Sequence, residues 1–252
     1  MFRITTIVMV VCLSAMVAQG QNLFTNGDFE TGDLTAYNTD LQAGGVNFGV
    51  VPGSVPGKGG NHLYNFDTGI NTIPHYGNLH QGGQPGHQPK IPLPNNNPHF
   101  SADIFTNTDA VGPSQAAPML QMYNAADELR ALVYWGFGGG PTSWGTGIHN
   151  VSGVEQATIA VNMSGSNGAW THIDENIPDM MESYFPTGTP GQRWADLGIV
   201  SVWFTFQTWG AENTTSQVSG WADNFVLTDV PEPATMSLLA LGAIGMLRRK
   251  RS

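Results

Sequence analysis

The 252-residue chain has one cysteine, Cys12, and it lies in the apolar stretch at the start. Beyond that stretch there is no thiol, which excludes disulfide bonds, thiolate catalysis and cysteine-ligated zinc. Basic side chains are nearly as scarce. Residues 21–229 hold four (Lys58, Lys90, Arg130, Arg193) against eighteen acidic ones. A field of that sign repels phosphate backbones, and no basic patch offsets it, so nucleic acid is excluded as a partner. Catalytic signatures are missing too. There is no H-E-x-x-H, no phosphate-binding glycine loop and no G-x-S-x-G; Gly112-Pro113-Ser114-Gln115-Ala116 lacks the closing glycine. Glu128, Glu155 and Glu175 could supply a glycosidase's two carboxylates, but their surroundings read as turns and solvated surface. The chain is expected not to be an enzyme.

The ends are apolar where the middle is not. Arg3 precedes a mostly apolar run from Ile4 to Val17, and Ala18-Gln19-Gly20 offers small residues at the positions a signal peptidase reads. Residues 1–20 are therefore expected to be a cleaved signal peptide. At the other end, Val230-Pro231-Glu232-Pro233 is followed by twelve apolar residues, Met236 to Leu247, and then by Arg248-Arg249-Lys250-Arg251. As a helix those twelve would reach about 18 Å, short of a hydrocarbon core of about 30 Å. The segment suits transient inner-membrane contact, with its basic cluster held on the cytoplasmic side. Prolines keep the junction extended and open to a processing enzyme.

This Pro-Glu-Pro, short apolar run and terminal basic cluster resemble the PEP-CTERM sorting signal of Gram-negative bacteria. The resemblance covers residues 230–252. It implies recognition by an exosortase, removal of the apolar tail, and delivery to the cell surface or an extracellular matrix.

Between the ends, Gly, Asn, Thr and Pro are plentiful while Lys, Glu and Leu are scarce, which favours strands and turns over helices. Strand-like runs recur at Val46–Val51, Asn61–Phe66, Phe100–Ile104, Met119–Tyr123, Leu129–Phe137, Ala157–Met163, Trp170–Ile177, Leu197–Trp209 and Trp221–Leu227. Asn124–Glu128 reads as a hairpin loop, Gly165–Gly168 as a turn, and Pro178–Tyr184 as the one helix candidate. Residues 71–98, rich in Pro, Gly, Asn, Gln and His, read as one long irregular loop. The fold class expected for residues 21–229 is all-β, an antiparallel β-sandwich.

Asn22-Leu23-Phe24-Thr25-Asn26-Gly27-Asp28-Phe29-Glu30 opens this domain, and Gly220-Trp221-Ala222-Asp223-Asn224-Phe225-Val226-Leu227 closes it. The pair resembles the first and last strands of galactose-binding-like jelly rolls, the sandwich of many carbohydrate-binding modules. The resemblance implies that the two segments lie side by side, often around a structural calcium ion. Asp28, Glu30 and Asp223, with nearby backbone carbonyls, are the candidate ligands, since a hard cation needs several oxygens.

All seven tryptophans fall in the domain. Sugars present C–H faces that stack on aromatic rings and hydroxyls that seek amides and carboxylates. Trp203, flanked by Val202 and Phe204, reads as core, and Trp170 and Trp221 as buried. Tyr134, Trp144 and Trp209 lie at strand ends or in glycine-rich loops and are the candidate ligand-binding residues. His75, His80, His87 and His99 match no zinc spacing and read as polar loop. The resulting expectation is an exported, non-catalytic protein that binds extracellular polysaccharide. A structural matrix protein without a sugar site, and a secreted polysaccharide hydrolase or lyase, are the alternatives.

Overall fold

The computed structural model describes residues 21–42, 46–52, 62–67, 75–81, 89–108, 115–138, 145–210 and 217–230. The expected signal peptide and the segment from Pro231 to Ser252, including Glu232, Pro233 and the basic cluster, lie outside them. Among the described residues no helix is long and apolar enough to cross a membrane.

Thirteen strands and two helices are described. The strands are β1 (Asn38–Gln42), β2 (Asn47–Pro52), β3 (His62–Asp67), β4 (His75–Gln81), β5 (Ile91–Pro92), β6 (Pro98–Thr108) and β7 (Gln115–Asn124). They continue with β8 (Leu129–Gly138), β9 (Gly147–Val151), β10 (Val154–Asn162), β11 (Trp170–Asn176), β12 (Ile199–Gly210) and β13 (Val218–Asp229). Helices α1 (Ile177–Tyr184) and α2 (Gln192–Leu197) lie between β11 and β12. An eight-stranded sheet runs β1-β4-β12-β7-β8-β10-β9, with β5 beside β12, and a five-stranded sheet runs β11-β6-β13-β3-β2. Every pairing between named strands is antiparallel except β8–β10. The expected β-sandwich is the observed one.

Alternation builds the core. Along β12, Val202, Phe204 and Phe206 point between the sheets, and Phe100, Ala102 and Ile104 of β6 meet them from the other sheet. Phe225 of β13 closes the middle, its ring 5.0 Å from Phe204, 5.8 Å from Phe206 and 5.5 Å from Phe29. Burying each such ring contributes about 1.5–3 kcal/mol.

One expectation needs correction. Residues 71–98 are not one irregular loop, because they contain β4, bonded on both sides, and β5. β4 reads as polar because only Leu79 faces the core while Asn78 and His80 stand on the outer face. The expected Gly165–Gly168 turn is present and carries the chain from β10 in one sheet to β11 in the other. The expected helix is observed over Ile177–Tyr184, capped by Asn176 Oδ1 accepting from Asp179 N–H at 2.9 Å.

The opening and closing motifs do lie together, but the opening one is a strap without strand geometry. Asn22 Oδ1 accepts from Leu227 N–H (3.0 Å) and Phe24 N–H (3.0 Å), and Asn22 Nδ2 donates to the Phe225 carbonyl (3.2 Å). Leu23 N–H donates to Leu227 O, and Phe225 N–H to Gly27 O. The chain's exit is fastened as well. Buried Asp229 accepts from Asn95 N–H (2.5 Å) and Asn97 N–H (2.7 Å), while Val230 N–H donates to Asn97 O at 3.1 Å.

Burial pushes the phenols of Tyr37 and Tyr64 well above the ordinary tyrosine range, and burial with the nearby Asp127 carboxylate pushes Tyr123 up to about 12. In the unfolded chain they ionise near their ordinary value of about 10. Stability from keeping them neutral is complete below pH 10 and is lost as pH rises through the folded values. Denaturation midpoints should fall from about pH 10 upward, with tyrosinate absorbance appearing together with unfolding. Tyrosinate from Tyr37 and Tyr64 in a still-folded protein would contradict their burial.

Candidate functional site

Strand alternation that sends Phe204 and Phe206 inward sends Trp203, Thr205, Gln207 and Trp209 to the outer face of the eight-stranded sheet. Neighbouring strands add to it in register. One row reads Asn38, His80, Thr205, Met119, Tyr134 and Ala160 across six strands. The next reads Trp203, Gln121, Leu132 and Thr158, and a third pairs Trp209 with Gln115. None of the three rows carries a charged side chain. Lys90 stands at the margin, 3.5 Å above the Tyr123 ring and paired with Asp127.

These outward side chains are packed, not dispersed. Tyr134 is 2% exposed and Trp203 8%, although neither belongs to the inter-sheet core. Tyr134 sits instead in a separate apolar cluster with Ala117 and Leu132, flanked by Met119 and Ala160. The Trp203 ring lies 5.0 Å from that of His80, whose Nδ1 is 3.1 Å from Thr205 Oγ1. Tyr123 Oη donates to Gln121 Oε1 at 3.0 Å.

Nine buried side-chain atoms among the described residues have no hydrogen-bond partner. Six stand on this face: Asn38 Nδ2, Asn78 Oδ1, Gln115 Oε1, Gln156 Nε2, Thr158 Oγ1 and Trp203 Nε1. Each such group costs about 1–3 kcal/mol if left unmade, and folded proteins keep few of them. Donors and acceptors are both present, so the face suits a ligand bearing hydroxyl groups, which can give and take.

Of the three expected ligand-binding residues, the structure brings Tyr134 and Trp209 to this face, and Trp144 lies outside the described residues. Tyr134 is in mid-strand, not at a strand end. Trp203 is the residue sequence reasoning misplaced. It shares parity with Trp209 and opposes Phe204 and Phe206, a signal present in the period of two. Trp170 and Trp221, expected to be buried, are half-buried on the outer face of the other sheet, on either side of Phe105.

Asp28, Glu30 and Asp223 are not gathered into one site. Asp28 is exposed beside Asn22, Asn26 and Asn224 at a cavity of about 310 Å³. Glu30 Oε1 accepts from His62 N–H at 3.3 Å, and buried Asp223 accepts from Asn224 N–H at 2.7 Å. Among the described residues no group of three or more His, Cys, Asp or Glu side chains could hold a metal ion. These residues do not fit a three-carboxylate calcium staple. A calcium ion held at this edge with help from backbone carbonyls would make excess chelator lower the melting temperature, and an unchanged transition would remove the site. His80 stands on the outer face and His99 is paired with Asp174 at 3.4 Å, while His87 lies outside the described residues. Glu155 pairs with Arg193 at 2.9 Å and Glu128 Oε2 accepts from Asn124 Nδ2 at 2.7 Å, both at the sheet's rim.

The described domain ends at Val230, one residue before Pro231. Residues 229–251 match the PEP-CTERM protein-sorting motif. The chain carries an envelope-sorting signal. The motif marks an exported protein and implies processing by an exosortase. Pro231, Glu232, Pro233, Arg248, Arg249, Lys250 and Arg251 all fall within the match. No curated protein matches the chain. Among solved structures it is similar to the enzymatically active domain of tailspike protein 4 of bacteriophage CBA120 (8% identity, TM-score 0.40, 82% of this chain and 21% of that one). It is also similar to the module TmCBM61 in complex with β-1,4-galactotriose (16%, 0.39, 82% and 97%) and to a family 11 carbohydrate-binding module from Clostridium thermocellum (12%, 0.39, 85% and 97%). The chain thus spans about a fifth of the tailspike structure. At these TM-scores the likenesses carry no argument about ligand or activity.

Proposed function

We propose that this PEP-CTERM protein is a non-catalytic carbohydrate-binding protein of the cell surface or extracellular matrix, and that the outer face of the eight-stranded sheet binds an uncharged stretch of polysaccharide. One observation carries the reading: six buried, unpartnered polar atoms share with Trp203, Trp209 and Tyr134 a face whose three central rows carry no charged side chain. Aromatic rings take the C–H faces of sugars, and amides and hydroxyls take their hydroxyl groups. The unpartnered atoms spread from β1 to β10, five strand spacings or roughly 24 Å. That reach suits a polymer lying across the strands better than a single sugar. Sorting by an exosortase supports retention where exopolysaccharide accumulates.

The test is a glycan array and calorimetry with the domain, comparing neutral and acidic polysaccharides. Binding to neutral chains, rising with oligomer length and insensitive to salt, is expected. Silence on every glycan would favour a structural matrix protein, and release of reducing ends would make it a hydrolase.

A further inference from the structure

The eight-stranded sheet ends at β9, whose outer edge has no strand beside it among the described residues. An edge strand presents unpaired N–H and C=O groups, and proteins guard such edges with charge, proline or cover. The other three sheet ends carry such guards in sequence. β2 finishes in Pro52, β11 contains Asp174 and Glu175, and β1 contains Asp40. β9, Gly147-Ile148-His149-Asn150-Val151, has no Pro, Asp, Glu, Lys or Arg, and His149 is its one titratable side chain. Ile148 and Val151 are 42% and 48% exposed, two of the four large hydrophobic residues exposed among those described.

Charge points to the occupant. The β9–β10 hairpin has one carboxylate, Glu155, set opposite Asn150. Arg193 Nη1 pairs with its carboxylate at 2.9 Å, and Arg130 Nε donates to its carbonyl at 2.9 Å. Two of the domain's four basic side chains are thus spent at this corner. Elsewhere two copies of so acidic a domain repel each other; here they approach with little cost.

We infer that β9 pairs antiparallel with β9 of a second copy of this chain, joining two eight-stranded sheets edge to edge. The two-fold axis of such a pair stands normal to the sheet, so both outer faces look the same way. Five residues a side bury less than a standard interface, which makes the dimer weak and concentration-dependent in free solution. The inference does not depend on what the outer face binds, and its failure would leave that reading intact.

Sedimentation velocity of the chain from residue 21 to 230, which holds every described element and the core, tests it. A reversible monomer–dimer equilibrium is expected. Changing Ile148→Lys and Val151→Lys together should weaken it at least about tenfold with no change in melting temperature, since both side chains face solvent. A monomer at every concentration, or a dimer untouched by the double change, would overturn the inference. Hydrogen exchange of the unaltered chain gives a second reading: β9 amides should gain protection as concentration rises, and unchanged protection counts against the pairing.

Discussion

Trp203→Ala should abolish most polysaccharide binding, weakening it by about thirtyfold, while Phe204→Ala, one residue along, should act almost entirely on stability. The two side chains stand on opposite faces of the same strand. Phe204 is fully buried between Phe24, Phe100 and Phe225, and truncating such a ring costs about 3–5 kcal/mol. Trp203 lies outside that core, beside His80, with its indole N–H buried and unpartnered. An aromatic anchor at the centre of a binding face contributes about 2 kcal/mol or more, which converts to the thirtyfold loss. Calorimetric titration with a neutral oligosaccharide, alongside urea denaturation of each variant, separates the two effects. Gln115→Ala, less central, should lose affinity by a smaller factor. A Trp203→Ala protein that is folded and binds normally would remove the outer face as the site.

Gly27→Ala is expected to destabilise the domain strongly, by about 3 kcal/mol. A Cβ there would lie 2.0 Å from the Phe225 carbonyl oxygen, a backbone atom of the central strand that cannot swing aside. The strap would have to lift, breaking the bond from Phe225 N–H to Gly27 O and loosening the Asn22 clamp. Gly49→Ala is the control, since nothing lies within 4 Å of its Cβ position. It should change stability by less than about 1 kcal/mol, because no contact opposes the added methyl. Equal losses in the two variants would show that helix and strand propensity, not the close approach of strap and strand, sets the cost.

How legible these features are in the sequence depends on whether local pattern or long-range packing decides them. The apolar alternation of Phe100, Ala102 and Ile104 and the Asn124–Glu128 turn are local, and both appear as expected. β4 is not local: its backbone is held by β1 and β12, while its composition is that of a loop. β9, short and glycine-led, gives too brief a pattern to be read at all. The binding face shows the same division. Tyr134 and Trp209 are legible as aromatics close to glycines, but Trp203 sits in so apolar a run that neighbouring residues conceal its direction. The calcium expectation rested on two motifs meeting, and they do meet. Nearness of the chain segments did not make their carboxylates converge.

The strap carries a consequence for how the protein is made. Asn22 is bonded to Phe225 and Leu227, more than two hundred residues later, and β13 sits inside the five-stranded sheet between β6 and β3. Neither can find its place until nearly the last residue of the domain has been synthesised. Closure of the sandwich is therefore among the last events of folding, coupled to completion of the chain rather than to its emergence.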